Sequence, residues 1–138
     1  MKVLLGYDGS ECARRALDRA AAIAGTDPVL VVSVAHSTGM ALHASGAKVE
    51  KGELRSHAEN LREAHELLTK AGAKAELRET FQAPVGEVAE ALTHVAQETG
   101  VDVIVVGRRG MSGIKRLFAG SVSEGVVRHA TCDVLVVH

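Results

Sequence analysis

Five apolar runs, separated by stretches with helical spacing, set the outline of this chain. Val3 to Tyr7, Val29 to Val34, Val101 to Val106 and Asp133 to His138 are short runs rich in valine, isoleucine and leucine. They show little polar alternation, the mark of strands buried on both faces. Ala73 to Thr80 does alternate, and predicts a strand at the edge of a sheet. Between these runs, Ser10 to Ala24 places Ala13, Ala16, Leu17, Ala20, Ala21 and Ala24 at helical spacing. A long helix ending near Lys70 carries Leu54, Ala58, Leu61, His65 and Leu68 on one stripe, with Gly72 placed to cap it. Pro84 to Glu98 turns Val85, Val88, Ala89, Leu92 and Val95 inward, and Ser121 to His129 turns Val122, Val126 and Val127. Residues 36–47, rich in Ser, His, Gly and Ala, read as a loop.

The resulting order is β-α-β-α-β-α-β-α-β. It predicts an α/β fold with an open parallel sheet of five strands covered by helices on both faces. The 138 residues suit one domain over 1–138. In such sheets ligands bind beyond the carboxyl ends of the strands, where the strand order reverses.

Two segments at such ends carry candidate chemistry. The first is Asp8-Gly9-Ser10, a turn and N-cap signal before the first helix. The second follows the 101–106 run: Gly107, Arg108, Arg109 and Gly110, then nine residues, then Gly120 and Ser121. Glycines let backbone N–H groups approach a phosphate, and a helix opening at Gly120-Ser121 offers N–H groups without intrahelical partners. Arg108, Arg109, Lys115 and Arg116 make this the densest basic patch of the chain. Each feature has a plainer explanation. Gly107 and Gly110 suit any turn after a strand, Ser121 any helix start, and Asp8 an Asx turn. Surface cations are usually solvated.

Composition removes several classes. A net charge of −1 gives no global field for nucleic acid or an anionic membrane. Tyr7, Phe81 and Phe118 are the only aromatics, too few for a base-stacking platform. No apolar run approaches the ~20 residues that cross a bilayer, and the N-terminal run is too short for a signal peptide. Cys12 and Cys132, without a Cys-x-x-Cys, read as two reduced thiols in a cytoplasmic protein. The seven histidines show no metal-ligand spacing, and His65 on the apolar stripe reads as a half-buried packing residue. There is neither a G-x-x-x-x-G-K-[S/T] loop nor a G-x-G-x-x-G after the first strand. No residue is evident that would position water for hydrolysis.

Over its whole length the chain resembles the universal stress protein family, in its nucleotide-binding branch. The resemblance rests on Val3 to Ser10, on Pro84 to Leu92, on Asp102 to Gly107 and on Ala130 to Val137. It rests above all on the family pattern G-x2-G-x9-G-[S/T], which Gly107, Gly110, Gly120 and Ser121 satisfy without a gap. Asp133 stands where the family often has proline. The resemblance implies strand order 3-2-1-4-5, a Rossmann-like fold, and ATP, with Mg²⁺, between the ends of strands one and four. It implies Asp8 on the ribose and the Val34 backbone on adenine. Gly107, Arg109, Gly110, Gly120, Ser121, Val122 and Ser123 would then surround ribose and phosphates. It also implies a homodimer through the last strand, 133–138, and a regulatory role in the stress response with a protein client. A slow ATP hydrolase or nucleotidyl-transfer enzyme, and a dimeric scaffold that uses nucleotide little, are the alternatives.

Overall fold

The computed structural model describes residues 1–36, 51–82, 88–108 and 121–138. Strands β1 (Val3–Gly6), β2 (Val29–His36), β3 (Ala75–Gln82), β4 (Val103–Gly107) and β5 (Asp133–Val137) alternate with helices α1 (Glu11–Ala24), α2 (Lys51–Lys70), α3 (Val88–Thr99) and α4 (Ser121–His129). All four strand pairings are parallel, in the order β3-β2-β1-β4-β5. Fold class and strand order are those expected.

Successive strand residues face opposite sides of a sheet, and both sides here are apolar. Val3, Leu5, Val29, Val31, Val103 and Val105 pack under α1 and α2 with Leu17, Leu61, Ala64 and Leu68. Leu4, Leu30, Val32, Ile104 and Val106 pack under α3 and α4 with Leu92, Val95 and Val126. Leu4, Leu5 and Ile104 are wholly buried; each contributes about 1.5–3 kcal/mol of apolar transfer. Small residues, Ala13, Ala16 and Ala20, bring α1 close to the sheet.

Several boundaries and faces differ from expectation, for local reasons. The third strand starts at Ala75 because Gly72, at φ +75°, ends α2. Its N–H reaches the Thr69 carbonyl at 3.0 Å and the Ala73 N–H the Leu68 carbonyl at 2.9 Å, a Schellman cap that holds Ala73 outside the sheet. The fourth strand starts at Val103 because the Val101 N–H still bonds the Ala96 carbonyl of α3. On α2 the core face is Leu61, Ala64 and Leu68, so Ala58 and His65 are exposed. His65 is therefore no packing residue. On α4, Val126 is buried and Val127 is 58% exposed. The Leu54 and Val85 side chains and the 37–50 loop lie outside the described residues.

Candidate functional site

The chain leaves β1 towards β2 and leaves β4 towards β5, so the order reverses between two adjacent strands. The carboxyl ends of β1 and β4 flank the place where ligands bind in such sheets. Asp8 and Gly107 stand at these two ends.

Asp8-Gly9-Ser10 forms two local bonds. The Ser10 N–H donates to Asp8 Oδ1 at 2.9 Å, and Ser10 Oγ accepts the Ala13 N–H at 3.1 Å. An Asx turn thus leads into an N-cap, as the plainer explanation of these residues requires. Gly9 has φ +77°, and a Cβ there would stand 2.5 Å from Asn60 Oδ1. The backbone conformation demands glycine, whereas the Asn60 side chain could turn away from an added methyl.

Gly107 has a structural reason for being glycine that its spacing did not reveal. A Cβ would lie 2.8 Å from the Cys12 carbonyl carbon and Cβ, and 3.0 Å from the Ala13 nitrogen. The N-terminal turn of α1 rests directly on the exit of β4. Arg108 follows and is held on three sides. Its N–H donates to the Val137 carbonyl at 2.7 Å, and its guanidinium lies 3.2 Å from His138 Nδ1. Its carbonyl accepts the Ser123 hydroxyl at 3.3 Å. The Arg108 side chain is therefore engaged at the end of β5.

Ser121 is the first residue of α4, and the first N–H groups of a helix lack intrahelical partners. Val122 packs into the core of the α3–α4 side. Ser123 is 5% exposed. Val34 also turns its side chain into that core. The strand continues to His36, so Val34 is two residues short of its end. Its backbone has a specific orientation. The Val32 carbonyl accepts the Tyr7 N–H at 3.0 Å, so Val34, two residues on, points its amide and carbonyl to the same side. At that level β1 has already turned into Asp8-Gly9-Ser10. Arg109, Gly110 and Gly120 lie outside the described residues, as do Lys115 and Arg116.

Sequence reasoning missed a polar row on α2. Ser33, 1% exposed, lies 2.7 Å from His57 Nδ1. Asn60 lies against Gly9. Glu63 Oε1 accepts the Tyr7 hydroxyl at 3.0 Å and the Arg14 Nε–H at 2.6 Å. His57, Asn60 and Glu63, each three residues apart, run beside the apolar face of α2 and over the ends of β2 and β1. Their i, i+3, i+6 spacing was the available signal.

Burial, reinforced by the Glu63 hydrogen bond and charge, pushes the Tyr7 phenol up to about 12. The Arg14 bond holds the Glu63 carboxyl below its usual range. The chain has one tyrosine and no tryptophan, so tyrosinate absorbance reads Tyr7 alone. A titration midpoint near 12 is expected, falling in Glu63→Gln. Because the folded value lies above the unfolded one, the Tyr7 contribution is complete below pH ~10 and lost as pH rises towards ~12. It amounts to about 2–3 kcal/mol. A midpoint near that of free tyrosine would show the bridge to be absent.

Elsewhere, Cys12 and Cys132 are free thiols, and Arg15 Nη2 lies 3.2 Å from Cys12 Sγ. A groove of about 520 Å³ lies between α2 and β3, lined by Ala58, Leu61, Arg62, His65, Leu77 and Glu79. No expected site residue lines it. Among the described residues, no group of three or more His, Cys, Asp or Glu could hold a metal ion. None of the described helices is long and apolar enough to cross a membrane.

The model of the universal stress protein family matches residues 1–138. Universal stress protein Rv1636 of Mycobacterium tuberculosis is 40% identical over 144 residues, covering 99% of this chain and 94% of its own. A universal stress protein solved in complex with cAMP is 32% identical, with a TM-score of 0.73 over 100% of this chain and 97% of that one. Universal stress protein UspA from Lactobacillus plantarum, at 21% identity, shares the fold with a TM-score of 0.80 over 100% of this chain and 97% of its own.

Proposed function

The chain belongs to the universal stress protein family, and on that premise we propose that it binds ATP and acts as a nucleotide-dependent regulator in the stress response. The observation that carries this reading is the backbone of Val34. It points its amide and carbonyl to the place β1 has vacated, beside Asp8 and across from the exit of β4. A purine edge needs such a donor and acceptor. In this reading Asp8 meets the ribose hydroxyls, since a carboxylate beside phosphates would repel them. The first N–H groups of α4, with Gly107, Arg109, Gly110, Gly120, Ser121, Val122 and Ser123 around them, hold ribose and phosphates. Mg²⁺ would arrive with the nucleotide, held through its phosphate oxygens. ATP supplies the charge that these groups recognise; we assign no catalytic residue. The relative solved with cAMP supports an adenine nucleotide and makes the number of phosphates the point to test.

A second copy of the chain completes the proposal. Leu135 is 36% exposed on β5, an edge strand that would otherwise present unpaired backbone groups. Two β5 strands pairing about a two-fold axis would cover both edges. One set of samples tests both statements. Calorimetry with ATP, ADP, AMP and cAMP, with and without Mg²⁺, is expected to give tightest binding for ATP with Mg²⁺. Light scattering is expected to give the mass of two chains for the wild type and of one for Leu135→Lys. No heat with any nucleotide rejects the ligand; a wild-type monomer rejects the pairing.

A further inference from the structure

One carboxylate closes the bend that carries Asp8. The chain leaves β1 through Tyr7, turns at Asp8-Gly9-Ser10 and enters α1, near whose start Arg14 stands. On α2, Glu63 Oε1 accepts the Tyr7 hydroxyl at 3.0 Å and the Arg14 Nε–H at 2.6 Å. The two flanks of the bend therefore meet on a single oxygen of a third element. Tyr7 is fixed to the sheet: its side chain is buried in the core and its N–H donates to the Val32 carbonyl. Asp8 is fixed to the helix instead. Its Oδ1 accepts the Ser10 N–H, and the Ser10 carbonyl accepts the Arg14 N–H at 3.0 Å. The Asp8 carboxylate thus travels with the start of α1. Asn60, one turn before Glu63 on α2, lies against Gly9 in the middle of the bend.

We infer that Glu63 is a positioning residue, which sets where the Asp8 carboxylate stands relative to the end of β1 by tying Arg14 to Tyr7. This rests on the nucleotide reading above, in which Asp8 meets the ribose hydroxyls. Glu63 itself is given no ligand contact there. A hydrogen bond weakens steeply with angle, so a small shift of the start of α1 misaligns the carboxylate without removing it. Preorganisation of Asp8 is what the Glu63 bridge supplies. Charge alone predicts something else. Removing an acidic side chain would favour any polyphosphate, and removing Arg14 would disfavour any polyphosphate, in both cases whatever the sugar. A positioning role predicts instead a loss confined to the ribose hydroxyls, with the same sign for both residues.

The test measures affinity for ATP and for dideoxy-ATP, which lacks both ribose hydroxyls, by calorimetry. Wild type is compared with Glu63→Ala, Arg14→Ala and Tyr7→Phe; the last keeps the buried ring and changes no charge at neutral pH. The wild type should prefer ATP at least about tenfold, the worth of a hydrogen bond to a charged group. In all three variants that preference should fall to about threefold or less. In Tyr7→Phe the affinity for dideoxy-ATP should stay at the wild-type value. A preference that survives in Glu63→Ala and Tyr7→Phe overturns the inference, whether both affinities fall together or neither does. Tyrosinate absorbance of ligand-free Glu63→Ala reads the bridge directly, and a midpoint equal to that of the wild type would also overturn it. A wild type that binds ATP and dideoxy-ATP equally removes Asp8 from the ribose, and the inference with it, but leaves ATP binding in place. A wild type that binds neither rejects the functional reading itself, and the role of Glu63 with it.

Discussion

Gly107→Ala is expected to lower the melting temperature by about 3–10 °C, from about 1–3 kcal/mol of overpacking. The added methyl would meet the Cys12 carbonyl carbon and Cβ at 2.8 Å and the Ala13 nitrogen at 3.0 Å. Two of these three atoms are backbone, so no rotamer change relieves the contact. Helix α1 must move as a body, and it is fastened by Ala13, Ala16 and Ala20 packed on the sheet. Cys12→Ala keeps every clashing atom, so it should leave the loss in place. The displacement also carries Ser10 and the Asx turn of Asp8 with it, and nucleotide affinity should fall alongside stability. Thermal denaturation followed by circular dichroism measures the effect. A Gly107→Ala protein melting with the wild type would mean that α1 does not rest on the end of β4.

Gly120→Val is the complementary case: the expected loss is in binding, at least about a hundredfold in ATP affinity, with little change in melting. Gly120 immediately precedes the first residue of α4. In the proposed site, a branched side chain next to the start of α4 would obstruct the approach of a phosphate to the opening N–H groups. Charge-assisted bonds contribute about 1.5–3 kcal/mol each, so displacing two of them costs a factor of about 10² or more. Calorimetry with ATP decides the matter, and undiminished affinity in this variant withdraws the phosphate assignment.

These two glycines also show how far the sequence could be read. The parallel sheet was legible because β1, β2 and β4 are apolar on both faces, and only burial on both sides asks for that. The end of α2 was legible because Gly72 has one common use after a helix. The Asp8-Gly9-Ser10 turn was legible for the same reason. Contacts between distant segments were not. The spacing of Gly107 suggests phosphate, yet the nearest thing to its absent Cβ is α1. His65 falls on a plausible stripe, and only the docking angle of α2 decides that Ala64 points inward and His65 outward. The Tyr7–Glu63–Arg14 bridge draws on three elements, and no local pattern announces such a meeting. Arg108 looked interchangeable with Arg109, Lys115 and Arg116; its backbone bond to Val137 and its place beside His138 set it apart.

Strand β1 lies between β2 and β4. During synthesis the first strand emerges early and finds β2 soon after, but its other flank stays bare until Val103–Gly107 has been made. The two halves of the proposed pocket are divided in the same way, with Asp8 at one end of the chain and Ser121 near the other. A translation product that stops before β4 lacks two of the five strands and one side of the proposed pocket. Ligand binding would thus be confined to finished copies, and abandoned fragments would expose an unpaired hydrophobic strand for quality control to find.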